Sequence, residues 1–311
     1  MSNGMQQWVA AMRADRFEDA WLLSEQDLRA RDPAMRDDPA KPYHLRWVWD
    51  GRPFDGRHVL IRCYHGLGDT IQFARFLPLL GARAASLTVE VQPQLQCLIA
   101  DMPGIDRIIP FDPAHPLPPA ECDIEITELA FALRAAPSAA AVPYLFAQPA
   151  AEAAGSVALC YSGSDWDMDR RVPAELFDAV CRNHRCVTLV PEPTALPVRN
   201  PQGCSLEVAT SASLLAGANL VITVDTMVAH LAGALGKPTW LLLKAEPDWR
   251  WAPDRTDSSW YPTMRLYVQP RAGDWTAVVE AVRRDLTLEA VCRGEGLLVQ
   301  GDQVEPALVA L

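Results

Sequence analysis

Residues 58–80 read HVLIRCYHGLGDTIQFARFLPLL. The apolar run breaks at Gly66-Leu67-Gly68, presents Asp69, and passes at once into helical spacing, with Ile71, Ala74, Phe76, Leu77 and Leu80 on one face. Gly66 and Gly68 allow a sharp turn without a Cβ penalty. A strand, a glycine turn and a helix N-terminus therefore set the Asp69 carboxylate at the carboxyl edge of a sheet, where open α/β sheets bind ligands. Taken alone, this stretch favours Asp69 as a plain helix cap, a frequent use of aspartate at such a position. The turn lacks the third glycine of a dinucleotide fingerprint, and the chain has no GxxxxGK(S/T), HExxH or GxSxG.

The same logic returns at residues 220–243, LVITVDTMVAHLAGALGKPTWLLL. A buried strand ends at Asp225-Thr226, a helix begins, and Gly236 closes it. Free N–H groups and the positive dipole end suit a phosphate, with Thr226 and Met227 as backbone donors. His230 follows Thr226 by one helical turn, so it either reaches a phosphate oxygen, supports Asp225, or packs as a core histidine. A third loop, Ser162-Gly163-Ser164, follows the strand 157–161 and leads into DWDMDRR. Ser162 and Gly163 suit an anion nest, and Arg170 or Arg171 offers paired donors for a diphosphate, unless both arginines are simply solvated. Trp249, Trp251, Trp260 and Tyr261 crowd the segment 247–267, where aromatic faces either stack on a ligand or fasten a loop.

The 311 residues are half hydrophobic, enough for a large core and for two domains. A net charge of -11 argues against a general nucleic-acid partner. Eight cysteines without a CxxC pair or a tight Cys/His cluster read as buried free thiols, and no metal site is expected. No signal-peptide core or membrane span is evident, which places the expected location in the cytoplasm.

Residues 5–31 read as two short helices, a tetratricopeptide-like pair with Trp8, Met12, Phe17, Ala20, Trp21 and Leu28 as packing residues. One pair cannot bury its apolar face alone, so it docks on the main body or on a second copy as a homodimer. A turn-rich connector follows at 32–57. Strand and helix patterns then alternate over 58–148 and again over 157–286, separated by the small-residue segment 148–155. This order predicts two doubly wound α/β domains facing across a cleft. The expected divisions are 1–43 helical segment and connector, 44–148 first Rossmann-like domain, 149–286 second, and 287–311 tail.

HLRWVWDG at 44–51, GLGDTIQFARFLPLL at 66–80, VDTMVAHLAGALGKPTWLLL at 224–243, and PDWRW with SSWYPTMRLYVQPRAGDW at 247–275 together resemble the heptosyltransferase-like glycosyltransferases of family 9, in the branch attached to tetratricopeptide repeats. The resemblance implies the two-domain GT-B fold, an inverting sugar transfer from a nucleotide-diphosphate donor, and no cofactor or metal. It gives Asp69 as the general base. It puts Asp225, Thr226 and His230 around the donor phosphates and aligns Arg171 with them; Ser162, Gly163 and Met227, read above as anion donors, complete the expected donor site. Gly66, Gly68, Gln72 and Trp249 are the acceptor or loop candidates, and a glycan, protein or small molecule is the acceptor. The chain departs from the family pattern at SDWDMDRR and at Val190-Pro191-Glu192-Pro193, where relatives carry a Gln-Lys type of segment. Glu192 there either holds a ribose hydroxyl or sits in a rigid turn. These departures keep open a catalytically inactive GT-B scaffold that binds a nucleotide sugar or a protein. A sugar-nucleotide epimerase is a third reading, without identified acid/base groups.

Overall fold

Short runs of apolar residues, most of them buried on both faces, form the strands of two parallel sheets; the edge strand at 107–110 is only half-buried. A computed structural model describes residues 3–164 and 167–292. The first sheet holds β1 (His58–Arg62), β2 (Ser86–Val91), β3 (Arg107–Pro110) and β4 (Cys122–Glu125), in the order β3-β2-β1-β4. The second holds β5 (Val157–Cys160), β6 (Cys186–Thr188), β7 (Leu220–Val224), β8 (Thr239–Leu243) and β9 (Met264–Val268), in the order β6-β5-β7-β8-β9. Every strand pair in both is parallel, with Val59 opposite Leu87 and Cys122, and Val157 opposite Cys186 and Leu220. The order reverses between β1 and β4 and between β5 and β7, so the loops after β1, β5 and β7 leave a crevice at the strands' carboxyl ends. This is the expected α/β architecture of two doubly wound halves.

The expected helical pair is α1 (Asn3–Arg13) and α2 (Phe17–Ala30), joined at Asp15, whose φ is 56°. It docks on the main body. Trp21 lies 6.2 Å from Phe131 of the first half, while Phe17 lies 6.4 Å from Trp260 and Trp8 4.9 Å from Trp249 of the second. Arg13 Nη2 donates to the Pro247 carbonyl at 2.6 Å, and Asp15 pairs with Arg255.

The helix after the first glycine turn differs from its expected form. α3 (Leu67–Ala74) takes Gly66 as its N-cap and holds Asp69 in its first turn, and a break at Arg75-Phe76 separates it from α4 (Leu77–Gly81). Pro78, near the start of α4, needs no N–H there. The segment 94–100 shortens to α5 (Gln96–Ile99), preceded by a 3-10 turn, and α6 (Leu129–Ala132) follows β4. In the second half, the helix expected at 174–183 begins as 3-10 turns and becomes α7 (Asp178–Asn183). α8 (Val208–Gly217) and α9 (Met227–Ala234) follow. α10 (Trp275–Cys292) continues past residue 286, and the rest of the tail lies outside the described residues. So do Asp165 and Trp166 of the polar segment. Residues 148–155 lie along α8, where the Ala150 N–H donates to the Ser213 carbonyl at 2.9 Å.

One hydrophobic cluster runs from Met12 and Trp21 through Ile61, Leu87 and Ile124 to Leu231, Leu241, Trp251 and Leu266, spanning both halves. A second cluster, with Leu159, Ile222, Leu242 and Val282, fills the other face of the second sheet. Arg75, 2% exposed, fastens the halves together: its guanidinium donates to the Trp260 carbonyl at 2.6 Å and lies 4.6 Å from the Tyr261 ring. α3 packs directly on α9. A Cβ on Gly68 would stand 2.9 Å from His230 Cδ2, so the close approach of these helices requires glycine there.

Candidate functional site

The carboxyl edges of the two sheets enclose a cavity of about 760 Å³. The loop after β1 contributes Gly66, Gly68 and Asp69, the loop after β5 contributes Ser162, Gly163 and Arg171, and the start of α9 contributes Asp225, Thr226, Met227 and His230. These residues, distant in sequence, line one space. Gln72 and Trp249 do not line it. Gln72 is fully buried behind Arg250, and Trp249 packs between Trp8 and Trp260.

On the first-sheet side, the Gly66 N–H donates to Asp69 Oδ2 at 3.0 Å, so Asp69 does serve the helix start while its other oxygen faces the cavity. That oxygen, Oδ1, pairs with the Arg250 guanidinium from across the cleft. Arg250 also donates to Gln72 Oε1, pairs with Asp248 at 2.8 Å, and lies 4.4 Å from the Trp249 ring. Burial disfavours the Arg250 charge, but the carboxylates of Asp248 and Asp69 outweigh it and hold its pKa above the usual value. Beside this group, His65 Nδ1 lies 2.9 Å from Glu125 Oε1. Burial works against the imidazolium, while Glu125 and then Asp69 favour it, and the balance raises the His65 pKa.

On the second-sheet side, Thr226 is the N-cap of α9 and its hydroxyl accepts the Val228 N–H at 3.2 Å. Asp225 therefore stands free of the capping role that its position suggests. A Cβ on Gly163 would meet the Thr226 methyl at 2.6 Å, which brings the loops after β5 and β7 into contact. Arg170 donates to the Asp225 carbonyl at 2.6 Å, and Arg171 to the Gly163 carbonyl at 3.4 Å. Both arginines line the cavity. Burial, with the charge of Asp248, lifts the Asp225 pKa to about 6 against the pull of Arg250 and Arg170. His230 Nδ1 lies 3.0 Å from the Tyr261 hydroxyl, and its ring stacks on Trp251 at 5.8 Å. Burial and the nearby cations Arg250, Arg75 and Arg170 keep this imidazole neutral. α9 closes as expected: Gly236 has φ 68°, and the Lys237 N–H returns to the Ala232 carbonyl at 3.0 Å.

The far wall is more apolar. Leu189, Pro191 and Leu206 line it beside Glu192, Ser205 and Ser211, and Leu206 is 81% exposed at the rim. A smaller pocket of about 180 Å³ adjoins at Lys244, whose ammonium pairs with Asp167 at 2.7 Å. Arg250, Asp248, Lys244 and the apolar wall were not among the expected site residues. For Arg250 and Asp248 the signal was an arginine and an aspartate set among the tryptophans of Pro247-Asp248-Trp249-Arg250-Trp251. Among the described residues, no group of three or more His, Cys, Asp or Glu is placed to hold a metal ion, and no helix is long and apolar enough to cross a membrane.

No family model and no curated protein matches the chain. Solved structures do resemble it. A glycosyl transferase family 9 protein from Veillonella parvula is 13% identical, covering 76% of this chain and 99% of its own, with a TM-score of 0.51. E. coli ADP-heptose LPS heptosyltransferase II is 14% identical over 75% of this chain and 100% of its own, with a TM-score of 0.50. The iron-containing dodecameric glycosyltransferase TibC of enterotoxigenic E. coli is 14% identical over 76% and 77%, with a TM-score of 0.52. At these identities the likeness establishes the fold, a GT-B-like pair of Rossmann-like halves.

Proposed function

We propose that the chain is an inverting glycosyltransferase that takes a sugar from a nucleotide-diphosphate donor. The observation that carries this reading is that Asp69, from the first half, and the α9 N-terminus, from the second, line one cavity. Asp69 takes the proton of an acceptor hydroxyl as its oxygen attacks the anomeric carbon. The bond from that carbon to the diphosphate breaks on the opposite face, and the electron pair leaves with the nucleotide. The Thr226 and Met227 end of α9 and the Arg170-Arg171 pair oppose the charge growing on the departing diphosphate. A diphosphate beside Asp225 favours its protonated form, in which it donates to a phosphate oxygen. The apolar wall at Leu189, Pro191 and Leu206 suits a nucleobase, and Glu192 beside it suits ribose hydroxyls.

Two of the similar structures are described with ADP-heptose, as the heptosyltransferase II named for it and as TibC in complex with it, which puts adenine nucleotide sugars first among donors to try. A melting-temperature screen against nucleoside diphosphates and nucleotide sugars identifies the donor class. Transfer is then followed over acceptor hydroxyls of glycans, peptides and small molecules. Asp69→Asn is expected to remove turnover, by at least about 100-fold for the loss of a general base. Unchanged turnover in that variant sinks Asp69 as the base.

A second reading is an inactive scaffold with the same nucleotide cleft. It is favoured by the Arg250 ion pair, which occupies a lone pair of the would-be base. Selective nucleotide-sugar binding without transfer to any acceptor decides for it.

A further inference from the structure

Arg250 presents a conflict that the reaction above must resolve. A carboxylate bound to a guanidinium is a poor base, because the cation stabilises its charged form. Yet Arg250 is held in place by Asp69, Asp248 and Gln72 at once, and it lies on the Trp249 ring. Its contact with Asp69 spans the cleft, since Asp69 belongs to the first half and Arg250 to the loop after β8. Arg250 also lines the same cavity as Thr226 and Met227, where a diphosphate would rest. A diphosphate carries more charge than one carboxylate and matches the planar fork of a guanidinium with two oxygens.

Building on the proposed glycosyl transfer, we propose that Arg250 is a donor-operated latch: it leaves Asp69 for the diphosphate of the arriving nucleotide sugar, and so frees the base only when a donor is bound. Asp248 stays with the guanidinium as the pivot. Donor binding then precedes productive acceptor binding, and a water molecule or stray hydroxyl meets no free base in the empty cleft. Arg250 thus links the two halves of the site: the same cation that shields the base in the empty protein stabilises the leaving group during transfer.

The latch makes Asp69 and the diphosphate competitors for one cation, which a binding experiment reads without any turnover. ADP is titrated calorimetrically at pH 7.5 into the wild-type chain, Asp69→Asn, Arg250→Gln and the double variant. If Arg250 must leave Asp69, Asp69→Asn removes the competitor and tightens ADP by about 5-fold or more, in the range of ordinary coupling between sites. Arg250→Gln weakens ADP, and Asp69→Asn gives no tightening in its background. Unchanged or weaker ADP binding in Asp69→Asn overturns the latch. So does an equal tightening with and without Arg250, because that gain comes from charge repulsion alone. Either result leaves the glycosyltransferase reading standing. If the wild type binds neither ADP nor any other nucleoside diphosphate, the donor site falls and the latch falls with it.

A second measurement needs no Arg250 variant to fold. In protein labelled with 5-fluorotryptophan, the Trp249 resonance is assigned by Trp249→Phe. Saturating ADP is expected to shift it as the guanidinium leaves the ring. A Trp249 signal that stays put while ADP is bound overturns the latch.

Discussion

Asp225 carries an energetic consequence of its own. Its folded pKa of about 6 lies above the unfolded value of 3.8, because burial and Asp248 disfavour its charge more than Arg250 and Arg170 favour it. The folded chain therefore holds a proton that the unfolded chain releases between about pH 4 and pH 6. Stability contributed by that proton is full below pH 4 and is lost as pH rises through 6. Above pH 6 the buried charge costs on the order of 2–3 kcal/mol in the ligand-free protein. Asp225→Asn keeps the shape of the neutral acid, so it is expected to raise the melting temperature by a few degrees at pH 7.5 and to leave it unchanged at pH 4. A lower melting temperature for Asp225→Asn at pH 7.5 would show that the carboxylate is paired rather than strained. The place of Asp225 at the end of a buried strand was legible from the apolar run before it. Its separation from the capping role was not, because Thr226 competes for that role through a hydroxyl geometry that no spacing rule reveals.

At the scale of elements, the contact of α3 with α9 sets the width of the cleft. Gly68→Ala places a methyl 2.9 Å from His230 Cδ2 and 3.4 Å from Met227 Cα, so the helices must separate. Overpacking of this kind costs about 1–3 kcal/mol. Gly66→Ala meets only Asp69 Oδ2, at 3.2 Å, and is expected to cost less. Urea denaturation of the two variants checks the order, and equal costs refute the account. The strand–glycine–helix units after β1 and β7 were readable because burial and helical period are local properties of sequence. Ten or so residues suffice to show each. The break at Arg75-Phe76 and the position of Arg250 were not, because the partners of Arg75 and Arg250 lie 185 and 181 residues away along the chain. A charged residue in an apolar helix pattern, or among tryptophans, gives no sign of which distant group it meets.

In the whole molecule, the core cluster common to both halves, together with Arg75 and the helical pair, joins the two sheets. Because that core is shared, thermal or urea unfolding followed by tryptophan fluorescence and by far-ultraviolet circular dichroism is expected to show one coincident transition. Two separated transitions would mean that the halves melt independently and that the shared core counts for little. The helical pair also has a consequence in time. Arg13 and Asp15 find their partners Pro247 and Arg255 234 and 240 residues later in the chain. At ribosomal rates of about 5–20 residues per second, that interval is roughly 10–50 s. Throughout it, the faces of α1 and α2 that will cover Trp249 and Trp260 stay uncovered on the nascent chain. The segment made early waits until residues 247–260 have been made, and crowding by other apolar chains is most dangerous to this protein during that wait.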